Sequence, residues 1–416
     1  MNDLSANSGE SQAASIFVLG TPGFVRDPAR FDIAATLKVV GLNTGNLVFQ
    51  YAVAKLLTDP KVFIGLSELP YSAADTAKGG KYLVVPAANH LRLNADWTGF
   101  NNFLEASKVP LIVLGLGAQS PQVGGAQSTI DALKADPHTS RLAGILRDKA
   151  ALVTVRGEFT ADVCENLGLK NVEVLGCPSL MLNESPALGE TLAKKIAAAS
   201  LAKKVKSALS GAAPFEIRGG QKEKLERHLF RWVLEMGGYY YQQSGGEAAY
   251  ALAAHDYSHV SLGAALSIKQ ILAPEIALGR FVKYFTSRAR IRLDAEKWQN
   301  ELAQLHISFG TRVHGNMIAI AGGTPGVLIA HDSRTGELAE TMCLPVMSAE
   351  DAMASNTLQD ALKTVTFDAA AFDRSRTEKA KAYCSAFDRL QLSFSPHLRG
   401  IANATSGQVQ ARRGVS

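Results

Sequence analysis

The stretch His306-Ile307-Ser308-Phe309-Gly310-Thr311-Arg312-Val313-His314-Gly315-Asn316, continuing through Met317–Gly323 to the turn Thr324-Pro325, decides how this chain is read. An apolar run of strand length, His306 to Gly310, stops at a glycine. A short polar turn follows, and small apolar residues of helix length, His314 to Ala321, then run to a Gly-Gly-Thr-Pro stop. Gly326 to Ala330 reads as the next strand, so the segment is one strand-helix-strand unit of a parallel sheet.

The same alternation recurs on both sides of this unit. Toward the N-terminus the candidate strands are Thr36–Val40, Tyr82–Pro86, Leu111–Gly115, Ala151–Val155 and Val172–Leu175. Helices are read at Asn46–Leu57 and Glu158–Leu167, the second stopped by Gly168. A second series runs through helix Lys222–Glu235, strand Gly238–Gln242, helices near Glu247–Ala254 and Ala265–Leu272, strand Val282–Phe285 and helix Asp294–Gln304. After Ala330 comes helix Thr335–Met342, and Ala349–Leu392 reads as helical. The Ala- and Lys-rich stretch Pro186–Ala213 is taken as the connection between the two series.

The expected architecture is therefore α/β, with two Rossmann-like domains facing a central cleft: 15–195, then 196–345, with helices of 346–398 packing back across them. Residues 1–14 and the tail 399–416 are expected to be disordered. At 416 residues, two cores are the natural division.

Composition excludes several classes of function. No apolar run of about twenty residues is available for a membrane span, and the polar start lacks a secretory pattern. The chain is accordingly expected to be soluble and cytoplasmic. Cys164, Cys177, Cys343 and Cys384 have no metal-ligand spacing. A net charge of +5 spread along 416 residues does not mark a nucleic-acid binder, although it suits a small anionic ligand.

Four loops carry candidate chemistry. Asn43, Gly45 and Asn46 open a helix, where backbone N–H groups can hold an anion or a sugar hydroxyl; the same residues are also ordinary turn formers. The loop Gly115-Leu116-Gly117 has a glycine pair but no third glycine at dinucleotide spacing, since position 120 is Ser, so no nicotinamide or flavin cofactor is expected. Arg156 ends a strand and is either a surface residue at a helix cap or a cleft residue. Arg312 and His314, with Asn316 behind them, form the strongest group. An Arg and a His between an apolar strand and an apolar helix are costly to bury without partners, and both can face an anion. His331-Asp332 reads as a helix cap rather than a relay, and no carboxylate cluster suggests a metal.

In this order the motifs resemble the polysaccharide pyruvyl transferase family. The matching segments are Asn43-Thr44-Gly45-Asn46, Gly115-Leu116-Gly117, Arg156, Gly176-Cys177-Pro178-Ser179, Arg312-Val313-His314-Gly315 and Ile329 to Arg334. The resemblance implies a glycosyltransferase GT-B-like fold with phosphoenolpyruvate as donor. The implied reaction forms a pyruvate ketal on a sugar of a surface or secreted polysaccharide, or on a lipid-linked oligosaccharide, with release of phosphate. It also implies peripheral contact with membrane-bound assembly machinery. By position, Arg312 would bind the donor anion and His314 would contact the donor or move a proton. Arg156 and Arg334 would add positive charge, and Asn43, Gly45, Asn46, Gly117 and Asn316 would line the substrate site. Members often carry Asp where this chain has Gly157 and Cys177. Two alternatives stand beside this reading: a nucleotide-sugar glycosyltransferase gripping ribose with Glu337 or Glu340, and a non-catalytic polysaccharide-assembly protein.

Overall fold

The computed structural model describes residues 16–28, 32–66, 69, 79–119, 126–331 and 333–404. The expectations for residues 1–14 and 405–416 lie outside the described residues.

Strands in chain order are β1 (Ile16–Leu19), β2 (Lys61–Ile64), β3 (Tyr82–Pro86), β4 (Leu91–Arg92), β5 (Leu111–Leu116), β6 (Ala118–Gln119), β7 (Ala150–Val155) and β8 (Val172–Val174), then β9 (Ser207–Ser210), β10 (Tyr239–Tyr241), β11 (Ala289–Arg290), β12 (Ile307–Gly310), β13 (Gly326–Ala330) and β14 (Val346–Ser348). They form two six-stranded sheets, ordered β2-β1-β3-β5-β7-β8 and β11-β10-β9-β12-β13-β14, with β4 and β6 as a small separate ladder. All pairings within both large sheets are parallel. Helices cover both faces, so central strands such as β5 (LIVLGL) are apolar without alternation and buried throughout. The chain thus has two Rossmann-like units. Strand order reverses between β1 and β3 in the first and between β9 and β12 in the second, and ligand crevices of doubly wound sheets open at such points.

The helix Val313–Ala321 explains why the units face each other as they do. Every residue from His314 to Ala321 is buried. It packs on β12 and β13 behind it and on the first unit's helix Asn46–Leu56 and turn Pro178–Met181 in front. A helix apolar all round needs cover on every side, and here the first unit provides the missing half. One apolar cluster accordingly joins Val48, Phe49 and Ala52 to Met317, Ile318 and Ala321.

The C-terminal chain crosses back. Helix Ala369–Arg389 brings fully buried Arg376 against the segment after β8, where its guanidinium donates to the carbonyls of Leu180, Asn183 and Ser185. Ser395 N–H then donates to Leu56 O at 2.8 Å, tying this segment to the first unit.

Several expectations are corrected. Thr36–Val40 is not a strand but the end of helix Ile33–Val39, started by Asp32 accepting from Ala35 N–H. Ile33 and Leu37, one helical turn apart, are its buried apolar residues. The first strand is β1, and the Asn43–Asn46 loop therefore joins two helices. Val282–Phe285 belongs to helix Leu278–Arg288, which buries Phe281, Tyr284 and Phe285 at helical spacing; β11 follows it.

The stretch Pro186–Ala213 is not a plain connection. It holds helix Leu188–Leu201, which spans the expected 195/196 boundary, and then β9, the strand at the switch point of the second sheet. Residues 346–348 are strand β14 rather than helix. The start of the expected disordered tail lies in helix Pro396–Ala402, where Leu398 and Ile401 are buried.

Candidate active site

The C-terminal ends of β1 and β3 and the turns after β5, β7, β10 and β12 meet at one cleft of about 680 Å³. Asn43, Asn46, Gly117, Arg156, Arg312 and His314 all line it. Residues separated by more than 200 positions are brought together because each sheet opens its crevice toward the other.

His314 sits at the floor, 9 % exposed, with its ring 5.2 Å from that of Phe49 and its Nε2 3.9 Å from Cys177 Sγ. Gly45 fits under it closely: a Cβ there would lie 2.7 Å from Gln243 Oε1 and 3.2 Å from His314 Cβ. Thr44 N–H donates to Gln243 O at 2.9 Å. Small residues at 44–45 therefore let the two units touch beside the histidine. Gly45 itself supplies room rather than a ligand contact.

Arg312 occupies the N-cap position of helix Val313–Ala321 and pairs with Glu216 at 3.1 Å. Glu216 is 60 % exposed at its side chain, so this pair is screened by solvent and weakly held. Beneath it lies Glu226, fully buried, which accepts from Thr311 Oγ1. Burial pushes the Glu226 carboxyl above its ordinary range, while Thr311 and the charge of Arg312 pull it back.

Arg156 is buried and already engaged. It donates to Gly115 O at 3.0 Å, Asn89 Oδ1 at 3.0 Å and Ala87 O at 3.4 Å. It clamps the ends of β3 and β5 and lines the cleft beside them. Gly117 permits this approach, since a Cβ would lie 2.6 Å from Asn89 Oδ1 and 2.9 Å from Arg156 Cδ. Gly117 therefore makes room for the arginine, and Gly115 supplies a carbonyl that accepts from it.

The two asparagines of the first loop hold backbone. Asn43 Oδ1 accepts from Gly45 N–H at 2.8 Å, and Asn46 Nδ2 donates to Val40 O at 2.9 Å. Asn316 is placed differently from the expectation. It lies outside the cleft lining, accepting from Ser308 Oγ at 3.0 Å and donating to Gly310 O at 3.0 Å, and so fixes the turn that carries Arg312. The side chain of Arg334, at the start of helix Ser333–Thr341, is outside the described residues, as is Asp332. His331 Nδ1 lies 3.1 Å from Ile329 O.

Glu337 spends its carboxylate on structure, accepting from Thr160 N–H at 2.9 Å at the start of helix Glu158–Asn166. Burial raises its pKa. Gly157 lies against it, and a Cβ there would meet Glu337 Cγ at 2.4 Å.

Sequence reasoning missed Glu226, Gln243 and the loop Asn89–Trp97. The last follows β3, itself legible as a strand, and its Asn-His pair at a strand end was the available signal. Glu226 lies in an amphipathic helix with no local mark. Among the described residues, no group of three His, Cys, Asp or Glu side chains could hold a metal ion. No helix among them is long and apolar enough to cross a membrane.

Two Rossmann-like units with an arginine and a histidine at the floor of the cleft between them define a protein of GT-B-like architecture. The sequence model of the family described as polysaccharide pyruvyl transferase matches residues 43–333, well over half of the chain. This protein belongs to that family, a family of transferases. No curated protein matches it. Among solved structures, MnaA of S. aureus, solved with UDP, shares 13 % identity at a TM-score of 0.40, covering 89 % of this chain and 97 % of its own. Alr3699/HepE of Anabaena, in complex with UDP, shares 11 % identity at a TM-score of 0.34, covering 88 % and 99 %.

Proposed function

We propose that the cleft transfers pyruvate from phosphoenolpyruvate to a pair of hydroxyls on a sugar of a polysaccharide or lipid-linked oligosaccharide. The observation that carries this reading is the placing of Arg312 and His314 together at the cleft floor, at the switch point of the second sheet. Arg312 is held there by a screened pair with Glu216 that an incoming dianion can displace.

The chemistry asks for two things. The donor carries a carboxylate and a phosphate, so a partly desolvated cleft must supply fixed positive charge; Arg312 supplies it, with Arg156 at the opposite wall. The methylene carbon must gain a proton and become a methyl, while a sugar hydroxyl adds to the adjacent carbon and loses its proton. The bond from that carbon to the phosphate oxygen then breaks, and phosphate leaves. A second hydroxyl adds to the same carbon and releases its proton, closing the ketal. His314, beside the incoming groups, is suited to one of these proton transfers. The reaction as balanced needs no metal and no redox cofactor.

Such an enzyme works where phosphoenolpyruvate is made, in the cytoplasm, in peripheral contact with membrane-bound polysaccharide assembly. The test is phosphate release from phosphoenolpyruvate across a panel of free and lipid-linked oligosaccharides, with UDP-sugars as a parallel arm. Phosphate release that depends on the oligosaccharide is expected. Nucleotide release from a UDP-sugar, with phosphoenolpyruvate left intact, would replace this reading with a glycosyltransferase.

A further inference from the structure

The wall opposite His314 has a different chemistry from the floor. After β3 the chain places His90, Trp97 and Phe100 as one aromatic group on the cleft lining. His90 stacks on Phe100 with centroids 5.1 Å apart and planes 18° from parallel, and lies 5.1 Å from Trp97. Arg92 covers the Trp97 ring at 4.9 Å, and Asp96 and Asn89 line the cleft beside it. Trp97 Nε1 is buried with no hydrogen-bond partner among the described residues. His90 is neutral at physiological pH, since burial lowers its pKa to about 4.

This wall pairs flat apolar ring surface with polar groups of Arg92, Asp96 and Asn89 at its rim. A pyranose suits it: one face of the sugar is a sheet of C–H groups that packs on an aromatic ring, and its equatorial hydroxyls reach planar amide, carboxylate and guanidinium groups at the rim. Within this wall Asn89, next to His90, accepts from Arg156, which ties the aromatic group to that arginine.

We infer that Trp97, backed by His90 and Phe100, is the shelf on which a neutral sugar ring of the acceptor stacks. This deepens the transferase reading and rests on it for the word acceptor. The stacking itself is tested independently of the donor.

The experiment measures saturation-transfer NMR of cellobiose, lactose and mannobiose, with UMP as a separate arm, against wild-type protein, Trp97→Phe and Trp97→Ala. Phosphoenolpyruvate binding is titrated calorimetrically in the same three proteins. At least one disaccharide should bind the wild type, weaken about tenfold in Trp97→Ala and recover in part in Trp97→Phe, while donor affinity stays within about twofold. Intrinsic fluorescence gives a second readout, since Trp232 and Trp298 are both 1 % exposed and Trp97 is the tryptophan at the cleft. Three results overturn the shelf: no disaccharide binds the wild type, binding is equal in Trp97→Ala, or UMP alone depends on Trp97. Failure of wild-type protein to bind phosphoenolpyruvate would instead remove the pyruvyl-transfer reading and leave the stacking result standing.

Discussion

The thiol of Cys177 lies 3.9 Å from Nε2 of His314 and 3.0 Å from the hydroxyl of Ser179, fully buried beneath the cleft floor. Members of the family often carry Asp at this position, so the histidine here has a weakly polar neighbour where a carboxylate is common. A carboxylate within this distance favours imidazolium and raises a histidine's pKa, commonly by about one unit or more. Cys177→Asp is therefore expected to move the limb of the pH–kcat/KM profile that belongs to His314 toward higher pH. Cys177→Ser should leave that limb within about 0.3 units. An unmoved limb in Cys177→Asp would separate His314 from the proton transfer.

Arg312 and His314 are expected to divide the work. Arg312→Ala removes a charge-assisted contact to the donor and should weaken phosphoenolpyruvate binding by roughly 2–5 kcal/mol. His314→Ala should leave donor binding nearly intact and lower turnover by about 10²- to 10⁴-fold. Calorimetric titration paired with initial rates reads both. Equal loss of donor affinity in the two variants would make His314 a ligand.

Gly157 stands where the family often has Asp, and the structure supplies the reason. Glu337, reaching over from the second unit, fills that space and caps Thr160 N–H. Gly157→Ala should destabilise the protein by about 1–2 kcal/mol through collision with Glu337. In a Glu337→Ala background the same change should cost about 0.5 kcal/mol or less, leaving a coupling energy that denaturant titration of the four proteins can measure.

Glu226 bears on stability against pH. Burial raises its pKa, so the fold favours the protonated acid. Its stabilising contribution is complete below the unfolded-state pKa and is lost as pH rises through the folded-state pKa. Glu226→Gln imitates the protonated form at every pH. It should melt roughly 2–4 °C above the wild type at neutral pH and level with it near pH 4 or below. A variant that melts lower at neutral pH would show that the attraction of Arg312 for the ionised carboxylate outweighs desolvation.

The strand-turn-helix unit around Arg312 was legible because its signals are local: a continuous apolar strand, a glycine, then a helix ended by Gly-Gly-Thr-Pro. The apolar character of Met317–Ala321 also announced burial on every side, although not that the helix Asn46–Leu56 of the other unit supplies half of it. Thr36–Val40 was misread because β-branched residues suit a strand, and the buried positions Ile33 and Leu37 show their helical spacing only from outside that window. Side-chain direction was beyond local reading. Asn316 and Arg312 lie four residues apart, yet one is consumed by Ser308 and Gly310 while the other reaches the cleft, a difference set by packing on β12. The Trp97 wall and the Glu337 cap were equally hidden. Which residues are costly to bury and where strands end can be read along the chain; which of those ends face one another follows from the meeting of two switch points, through contacts between residues hundreds of positions apart.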